Sequence, residues 1–151
     1  MNEEIQQEII KQDYEKIQQD IETFLKNQIS QKKADGVIFG LSGGIDSATV
    51  AYLCRKISET KEVLALVMPD SAISPSSETG DALKIIGDIG IDYKLIDINT
   101  IHKRYSNYLE PDELALGNLR ARIRSNIIYY YANLKNLLAL GTSDKSEYLI
   151  G

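Results

Sequence analysis

The residues best suited to chemistry form one short run, SGGIDS, at residues 42–47. Two hydroxyls, from Ser42 and Ser47, flank two glycines and the carboxylate of Asp46, and the run follows the apolar segment 36–41. Successive backbone N–H groups at the start of a helix bind phosphate, and glycines let the backbone approach it closely. Because bare phosphate would repel Asp46, this carboxylate indicates a Mg²⁺ ion carried on the phosphate. The run therefore predicts a cradle for a metal-bound phosphate.

The same run has three other interpretations: a purely structural turn, a nucleophile elbow and a Walker A loop. A tight strand-to-helix turn also uses glycine, but it needs only one or two. The sequence GLSGG fits the nucleophile elbow G-x-S-x-G, in which His102 would have to activate Ser42. A lone histidine beside two basic residues is more often a surface or core residue. A Walker A loop requires a lysine, and none follows Gly44 before Arg55.

Alternating strands and helices must position this run. Hydrophobic patterning predicts strands at 36–41, 62–69, 92–98 and 137–142. It predicts helices at 3–32, 47–58, 75–89 and 118–136, and a further helix that opens within 143–150. Ser74 is predicted to cap the helix at 75–89. Strands that alternate with helices predict an α/β fold with right-handed crossovers and a doubly wound parallel sheet, with an amphipathic N-terminal helix lying across the outside.

Composition narrows the classes of function. A length of 151 residues predicts a single domain, with an N-terminal helix in 1–34 and a nucleotide-binding core in 36–151. The net charge of −5 and the acidic pI argue against a nucleic-acid surface. No apolar run is long enough to span a bilayer, and the single cysteine cannot form an intrachain disulfide. We therefore expect a cytoplasmic protein that binds neither nucleic acid nor membrane.

The run SGGIDS resembles the pyrophosphate-binding loop of the N-type ATP pyrophosphatases, a group that includes GMP, asparagine, argininosuccinate and NAD synthetases. Two later segments, GNLRAR at 117–122 and GTSDKSE at 141–147, are similar to patterns of the NAD synthetases, especially the ammonia-dependent type. The resemblance extends from residue 36 to the last residue. It implies a Rossmann-like sheet with strand order 3-2-1-4. It also implies ATP-dependent amidation of deamido-NAD by ammonia through an acyl-adenylate, giving NAD, AMP and pyrophosphate.

The resemblance also implies a role for individual residues. Arg122 would contact deamido-NAD, Thr142 would lie against ATP, and Asp46 and Glu147 would hold Mg²⁺. With strand order 3-2-1-4, the loops after the first and fourth strands lie side by side, which could bring these two acids to one metal. No residue is implied as a nucleophile. The residues implied to hold the ATP phosphates are Gly40, Leu41, Ser42, Gly43, Gly44, Ile45, Asp46 and Ser47.

Some of these residues have a simpler structural interpretation. Glu147 stands three residues after Asp144, which is the spacing of a capping box. Arg122 lies about 200° around a helix from both Arg120 and Arg124, at ~100° per residue, so the three arginines cannot all serve one surface.

Two further expectations concern side chains outside the predicted site. Tyr129, Tyr130 and Tyr131 point in three directions, so at least one should leave the core and mark a partner surface, as in the homodimers that NAD synthetases form. Cys54 is expected in the core.

Further expectations concern the extent of the chain and its class. The last predicted helix has barely begun at Gly151, so we expect the front portion of a larger domain. No space for a glutaminase domain precedes residue 36, so ammonia would arrive free or from another protein. The segment at 68–82 departs from the family's usual sequence, and adenine contacts there are not predicted. Another ligase or tRNA-modifying enzyme of the pyrophosphatase type, and a non-catalytic nucleotide-binding module, remain as alternatives.

Overall fold

A computed structural model of the chain describes residues 12–143. This part contains one parallel sheet and five helices. The strands are β1 (Gly36–Gly40), β2 (Glu62–Val67), β3 (Asp92–Leu95) and β4 (Leu137–Ala139). The helices are α1 (Tyr14–Lys32), α2 (Ile45–Cys54), α3 (Ser76–Ile89), α4 (Asn99–Ser106) and α5 (Glu113–Lys135). None of these helices is long and apolar enough to cross a membrane.

The sheet is covered on both faces because successive residues of its central strands point to opposite sides. Val37 and Phe39 of β1 pack into a core with α1, α2 and α3, whereas Ile38 between them packs into a second core with α5. All residues of β1 except Gly40 are buried. The predicted doubly wound parallel sheet is therefore confirmed.

The strand order is β3-β2-β1-β4, as predicted. The chain moves outward from β1 to β2 and β3, and then returns through α4 and α5 to place β4 on the other side of β1. The order thus reverses at β1. In open parallel sheets ligands bind beyond the carboxyl ends of the strands at such a point. Here the segment Leu41–Ser47 leaves β1 at that point.

Several predicted boundaries differ from the structure. Strand β3 ends at Leu95 and β4 at Ala139, both shorter than predicted, and α4 had not been predicted. Helix α5 begins five residues earlier than predicted because the carboxylate of Asp112 accepts a hydrogen bond from Ala115 N at 2.7 Å and caps it. The predicted segments 3–11 and 144–150 lie outside the described residues.

The predicted cap at Ser74 is wrong. Helix α3 begins at Ser76, and the residue at its N-cap is Pro75, which offers no side-chain acceptor. The hydroxyl of Ser74 instead accepts a hydrogen bond from the backbone N–H of Asp70 at 3.1 Å. A serine hydroxyl serves a loop as well as a helix end, and here the loop after β2 uses it.

Candidate functional site

The segment between β1 and α2 is a loop closed on itself by two serine hydroxyls. Ser47 Oγ lies 3.0 Å from both Gly44 O and Ser42 Oγ, and it accepts from Ser42 N at 3.2 Å. A hydroxyl has one proton, and that of Ser47 is donated to Gly44 O, so Ser42 is the donor between the two serines. Ser47 is buried, which fixes this arrangement. The loop is therefore shaped before any ligand arrives.

The backbone conformation of this loop depends on its glycines. Gly43 has a φ of +91°, and a Cβ atom there would overlap the carbonyl oxygen of Glu78 in α3. Gly44 is the N-cap of α2 and supplies no side-chain acceptor for the first turn. The N–H groups of that turn therefore have no partner within the helix and face outward at its positive end. This geometry suits an anion with several oxygens, such as a phosphate.

The carboxylate of Asp46 lies in the first turn of α2 and is exposed. Within residues 12–143 it forms no salt bridge, and no three His, Cys, Asp or Glu side chains there are grouped to hold a metal. The second predicted metal ligand, Glu147, lies outside the described residues. The pairing of these two acids stays a prediction.

A cavity of about 370 Å³ opens beside the loop, at the carboxyl ends of β1 and β2. Gly40, Leu41, Ser42, Ser47 and Thr142, which were predicted from two distant segments, all line it. The remaining lining residues are Leu66, Val67, Met68, Pro69, Ser74, Glu78, Thr79, Arg124 and Ile128.

A second cavity of about 260 Å³ adjoins the first, and Thr142 and Gly40 line both. Ser125 and Tyr129 of α5 also line the second cavity. The predicted substrate residue, Arg122, is an exposed residue of α5 and lines neither cavity. Arg122 and Tyr129 are seven residues apart, so they lie on nearly the same side of the helix. The fold thus offers two adjoining spaces at one edge of the sheet.

Sequence reasoning assigned no role to Arg120 and Arg124, which both reach the segment that follows β2. Arg120 Nε donates to Asp70 Oδ2 at 2.7 Å, and Arg124 Nε donates to Met68 O at 2.9 Å. Their spacing of four residues puts them on one face of α5, which is the available sequence signal. The partners are 50 and 56 residues away, so local pattern cannot identify them.

The Asp70 carboxylate is 1% exposed. Burial opposes its ionisation, but the hydrogen bond and charge of Arg120 and the backbone N–H of Ala72 outweigh burial and hold the pKa of Asp70 below its ordinary value. Burial also lowers the pKa of Arg124, which nevertheless remains a cation at neutral pH. The cavity wall thus includes a fixed positive charge.

The nucleophile elbow is not supported by the structure. The ring of His102 is buried against α5, with Nε2 3.2 Å from the carbonyl oxygen of Leu116. The hydroxyl of Ser42 is engaged by Ser47 and Gly44 instead. Cys54 is buried, as predicted, and burial raises the pKa of its thiol to about 12. Neither His102 nor Cys54 is a candidate for chemistry in this loop.

These features define a doubly wound α/β protein with a turn whose geometry suits an anion at the point where its strand order reverses. The match to protein families makes the assignment specific: residues 17–151 match the family model of NAD synthase, and the chain belongs to that family.

The relatives of the chain described next are all named as synthetases. The chain is 44% identical over 146 residues to an NH3-dependent NAD(+) synthetase of Hyperthermus butylicus, covering 95% of this chain and 53% of that protein. A solved NH3-dependent NAD synthetase of Campylobacter jejuni, in complex with the nitrate ion, superposes with a TM-score of 0.85 at 42% identity, covering 93% of this chain and 61% of that one. An NMN synthetase of Francisella tularensis gives 0.82 at 29% identity, covering 89% and 56%. The chain spans about half the length of the curated relatives it matches.

Proposed function

We propose that this chain forms the ATP-binding part of an NH3-dependent NAD synthetase, a ligase that amidates deamido-NAD with ammonia and releases NAD, AMP and pyrophosphate. The observation that carries the proposal is the Ser42–Ser47 loop, closed by its own hydroxyls in front of the open first turn of α2. The relatives named for this activity supply the reaction.

The proposed chemistry proceeds in two displacements. The nicotinate carboxylate of deamido-NAD attacks the α-phosphorus of ATP, and pyrophosphate leaves with the electron pair of the cleaved P–O bond. Ammonia then attacks the acyl carbon, loses a proton and displaces AMP. Neither step needs a protein nucleophile, so the protein's part is to align two anionic substrates and to stabilise charge on the leaving group. Open N–H groups at a helix N-terminus supply such stabilisation without reorganisation.

Each predicted residue keeps its role in this proposal. The segment from Gly40 to Ser47 binds the ATP phosphates, and Thr142 contacts ATP. Arg122 binds deamido-NAD. The cavity that adjoins the loop has a size typical of small-molecule sites, which supports the assignment to ATP.

Mg²⁺ belongs to the same proposal, with Asp46 and Glu147 as its ligands. The donor chemistry fits, because Asp46 is an exposed carboxylate that no cation in residues 12–143 neutralises, and Mg²⁺ usually takes one or two carboxylates together with phosphate oxygens. When bound, the ion would neutralise charge on the phosphates.

We further propose that residues 1–151 belong to one domain of a cytoplasmic homodimer. Exposed aromatic and aliphatic side chains on the last turns of α5, namely Tyr129, Tyr130 and Leu134, support an interface there. The single thiol, Cys54, is buried and requires no oxidising compartment.

A product assay tests the proposed reaction. Purified protein with ATP, Mg²⁺ and ammonium is given deamido-NAD or nicotinate mononucleotide, and the nucleotides are identified by mass. NAD, AMP and pyrophosphate from deamido-NAD alone support the proposal, whereas ADP contradicts it. Product from the mononucleotide alone would favour the activity for which the Francisella neighbour is named. A folded chain that binds ATP without product would support a binding module only.

A further inference from the structure

Helix α5 is tied at two points to the segment that follows β2. Arg120 holds the carboxylate of Asp70, and one turn later Arg124 holds the carbonyl oxygen of Met68. Because Met68 and Asp70 are two residues apart and both arginines lie on one face of the helix, the two contacts act side by side. They fix the start of the segment 68–79 relative to α5.

The same segment forms one wall of the cavity of about 370 Å³ beside the loop. Met68, Pro69, Ser74, Glu78 and Thr79 all line it. Asp70 extends the contact with α5 into this wall, since its Oδ1 accepts from Ala72 N and its own N–H donates to the hydroxyl of Ser74, both at 3.1 Å. A chain of hydrogen bonds thus runs from Arg120 through Asp70 to Ser74.

We propose that Asp70 and Arg120 are a positioning pair, which holds the 68–79 wall in the conformation that admits the nucleotide. The identity of the nucleotide rests on the function proposed above, whereas the effect on the wall does not. The pair ties the wall to α5, the helix that also carries Arg122, the residue proposed for deamido-NAD. Neither Asp70 nor Arg120 lines the cavity, so the pair acts through the wall.

The energetics of burial make this contact decisive for the segment. A carboxylate that is 1% exposed requires partners, and removal of one partner leaves an uncompensated buried charge. In Arg120→Gln, the carboxylate of Asp70 would lose its charged partner and would turn toward water to be solvated. Because Asp70 is hydrogen-bonded to Ala72 and Ser74, that movement would displace them as well. In Asp70→Asn, the weaker amide acceptor would release Arg120 to solvent. Both variants therefore loosen the wall.

Helix α5 offers a matched control at its other end. Lys135, in the last turn, pairs with Glu62 at the start of β2, far along the helix from Arg120. Lys135→Gln removes an ion pair between the same helix and the opposite end of β2, and it leaves the wall untouched. A merely structural role for Asp70 and Arg120 predicts that any loss of ATP affinity follows the loss of overall stability, with no faster exchange confined to the wall.

Two measurements test the pair in Asp70→Asn, Arg120→Gln, Arg120→Lys, the Asp70→Asn/Arg120→Gln double variant and Lys135→Gln. Hydrogen exchange of the ligand-free protein measures how rigidly the wall is held. Calorimetric titration with ATP and Mg²⁺ measures the effect of the wall on ATP affinity. We expect faster exchange at residues 69–79 in the single variants, and ATP affinity about tenfold weaker. The double variant should be no weaker than the weaker single variant, because both changes break one contact. Arg120→Lys, which keeps the charge, should recover part of the affinity.

Lys135→Gln should change neither quantity, whatever it does to the melting temperature. Unchanged exchange in 69–79, or ATP affinity within about twofold of the wild type in folded Arg120→Lys and Arg120→Gln, would overturn the positioning pair. Wild-type protein that binds no ATP would overturn the proposed function and the nucleotide role of the pair together. Normal wild-type binding with unaffected variants would overturn the pair alone.

Discussion

Gly43 lies directly against the backbone of Glu78, so that a Cβ atom at Gly43 would overlap the carbonyl oxygen of Glu78. The loop between β1 and α2 is thus packed onto the first turn of α3 as well as onto β1. Its backbone also requires a φ of +91° at that residue, a conformation that side chains other than glycine disfavour. Sterics and conformation therefore both demand glycine at this position.

The adjacent glycines should respond differently to alanine. Gly43→Ala meets the overlap with Glu78 and the positive φ, so we expect lower stability, by about 1–3 kcal/mol, and loss of ATP binding. Gly44→Ala meets only Ser42 Oγ at 3.4 Å, with φ at −75°, so the fold should tolerate it with a smaller loss of capping free energy. Denaturant titration and ATP calorimetry on both variants measure the contrast. Equal stability of the two would contradict this account of the loop.

The carboxylate of Asp46 should govern the metal dependence of nucleotide affinity. Asp46→Asn removes the charge from the first turn of α2 without a change in shape, so circular dichroism should stay as in the wild type. We expect Mg²⁺ to raise ATP affinity in the wild type and to have little effect in the variant, and product formation to fall by about a hundredfold or more. Asp20→Asn, an exposed acid on α1, is the matched control and should leave both readouts unchanged. Equal Mg²⁺ dependence in all three proteins would remove Asp46 from the proposed metal site.

The sequence predicts the strands β1 and β2 and the position of the loop because these features depend on local signals, whereas the strand order followed from the family resemblance. Alternating apolar segments mark β1 and β2, and the glycines at 43 and 44 mark the turn between β1 and α2. Burial at the centre of a parallel sheet leaves little choice of residue type, so these patterns are strong.

Features that depend on distant contacts were not predictable. The hydroxyl of Ser74 could accept a hydrogen bond either from the first turn of α3 or from Asp70 N, and local sequence does not distinguish the two. In the folded loop it accepts from Asp70 N. In the sequence, Arg120 and Arg124 are two charged residues of a helix with no evident partner. Their partners, Asp70 and Met68, lie in the segment after β2 and are brought close only by the fold. Helix α4 has only eight residues and is polar on average, and its buried residue is His102, a residue type that local pattern does not assign to a core.

The Asp70 carboxylate should make stability depend on pH in the acidic range. Its pKa in the folded protein lies below the unfolded value, so its contribution is present above the unfolded pKa of about 3.9 and is lost as pH falls through the folded pKa. Asp70→Asn has no such proton to bind. We expect the difference in free energy of unfolding between the wild type and Asp70→Asn to be largest near neutrality and to shrink below about pH 4. Urea titrations from pH 7 to pH 2.5 measure it, and a difference that is constant with pH would contradict the ionised state of Asp70.

The exposed aromatic residues of α5 should control self-association. Tyr130 is 62% exposed beside Tyr129, and such aromatic anchors often dominate interface energetics. In sedimentation experiments we expect wild-type protein to dimerise and Tyr130→Ser to weaken the dimer by about tenfold or more. Tyr93→Ser, on the edge strand β3, removes a comparably exposed tyrosine outside the proposed interface and should have no effect. Wild-type protein that stays monomeric at every concentration would contradict the proposed homodimer.

The buried thiol of Cys54 gives a direct measure of how often the core opens. Burial raises the pKa of Cys54 to about 12, so at pH 8 the thiol in the folded protein is almost entirely protonated, and the sulfur is fully buried as well. We expect a disulfide reagent to label the folded protein at least ~1000-fold more slowly than the protein in urea, because labelling requires opening.

Since the folded pKa lies above the unfolded value, the stability that the neutral thiol contributes is complete below about pH 8.5 and declines as pH rises toward 12. Labelling should therefore accelerate with pH more steeply than the free thiol's ionisation alone predicts. Rapid labelling at pH 8 in a protein with native circular dichroism would contradict the packing of α2 against the sheet.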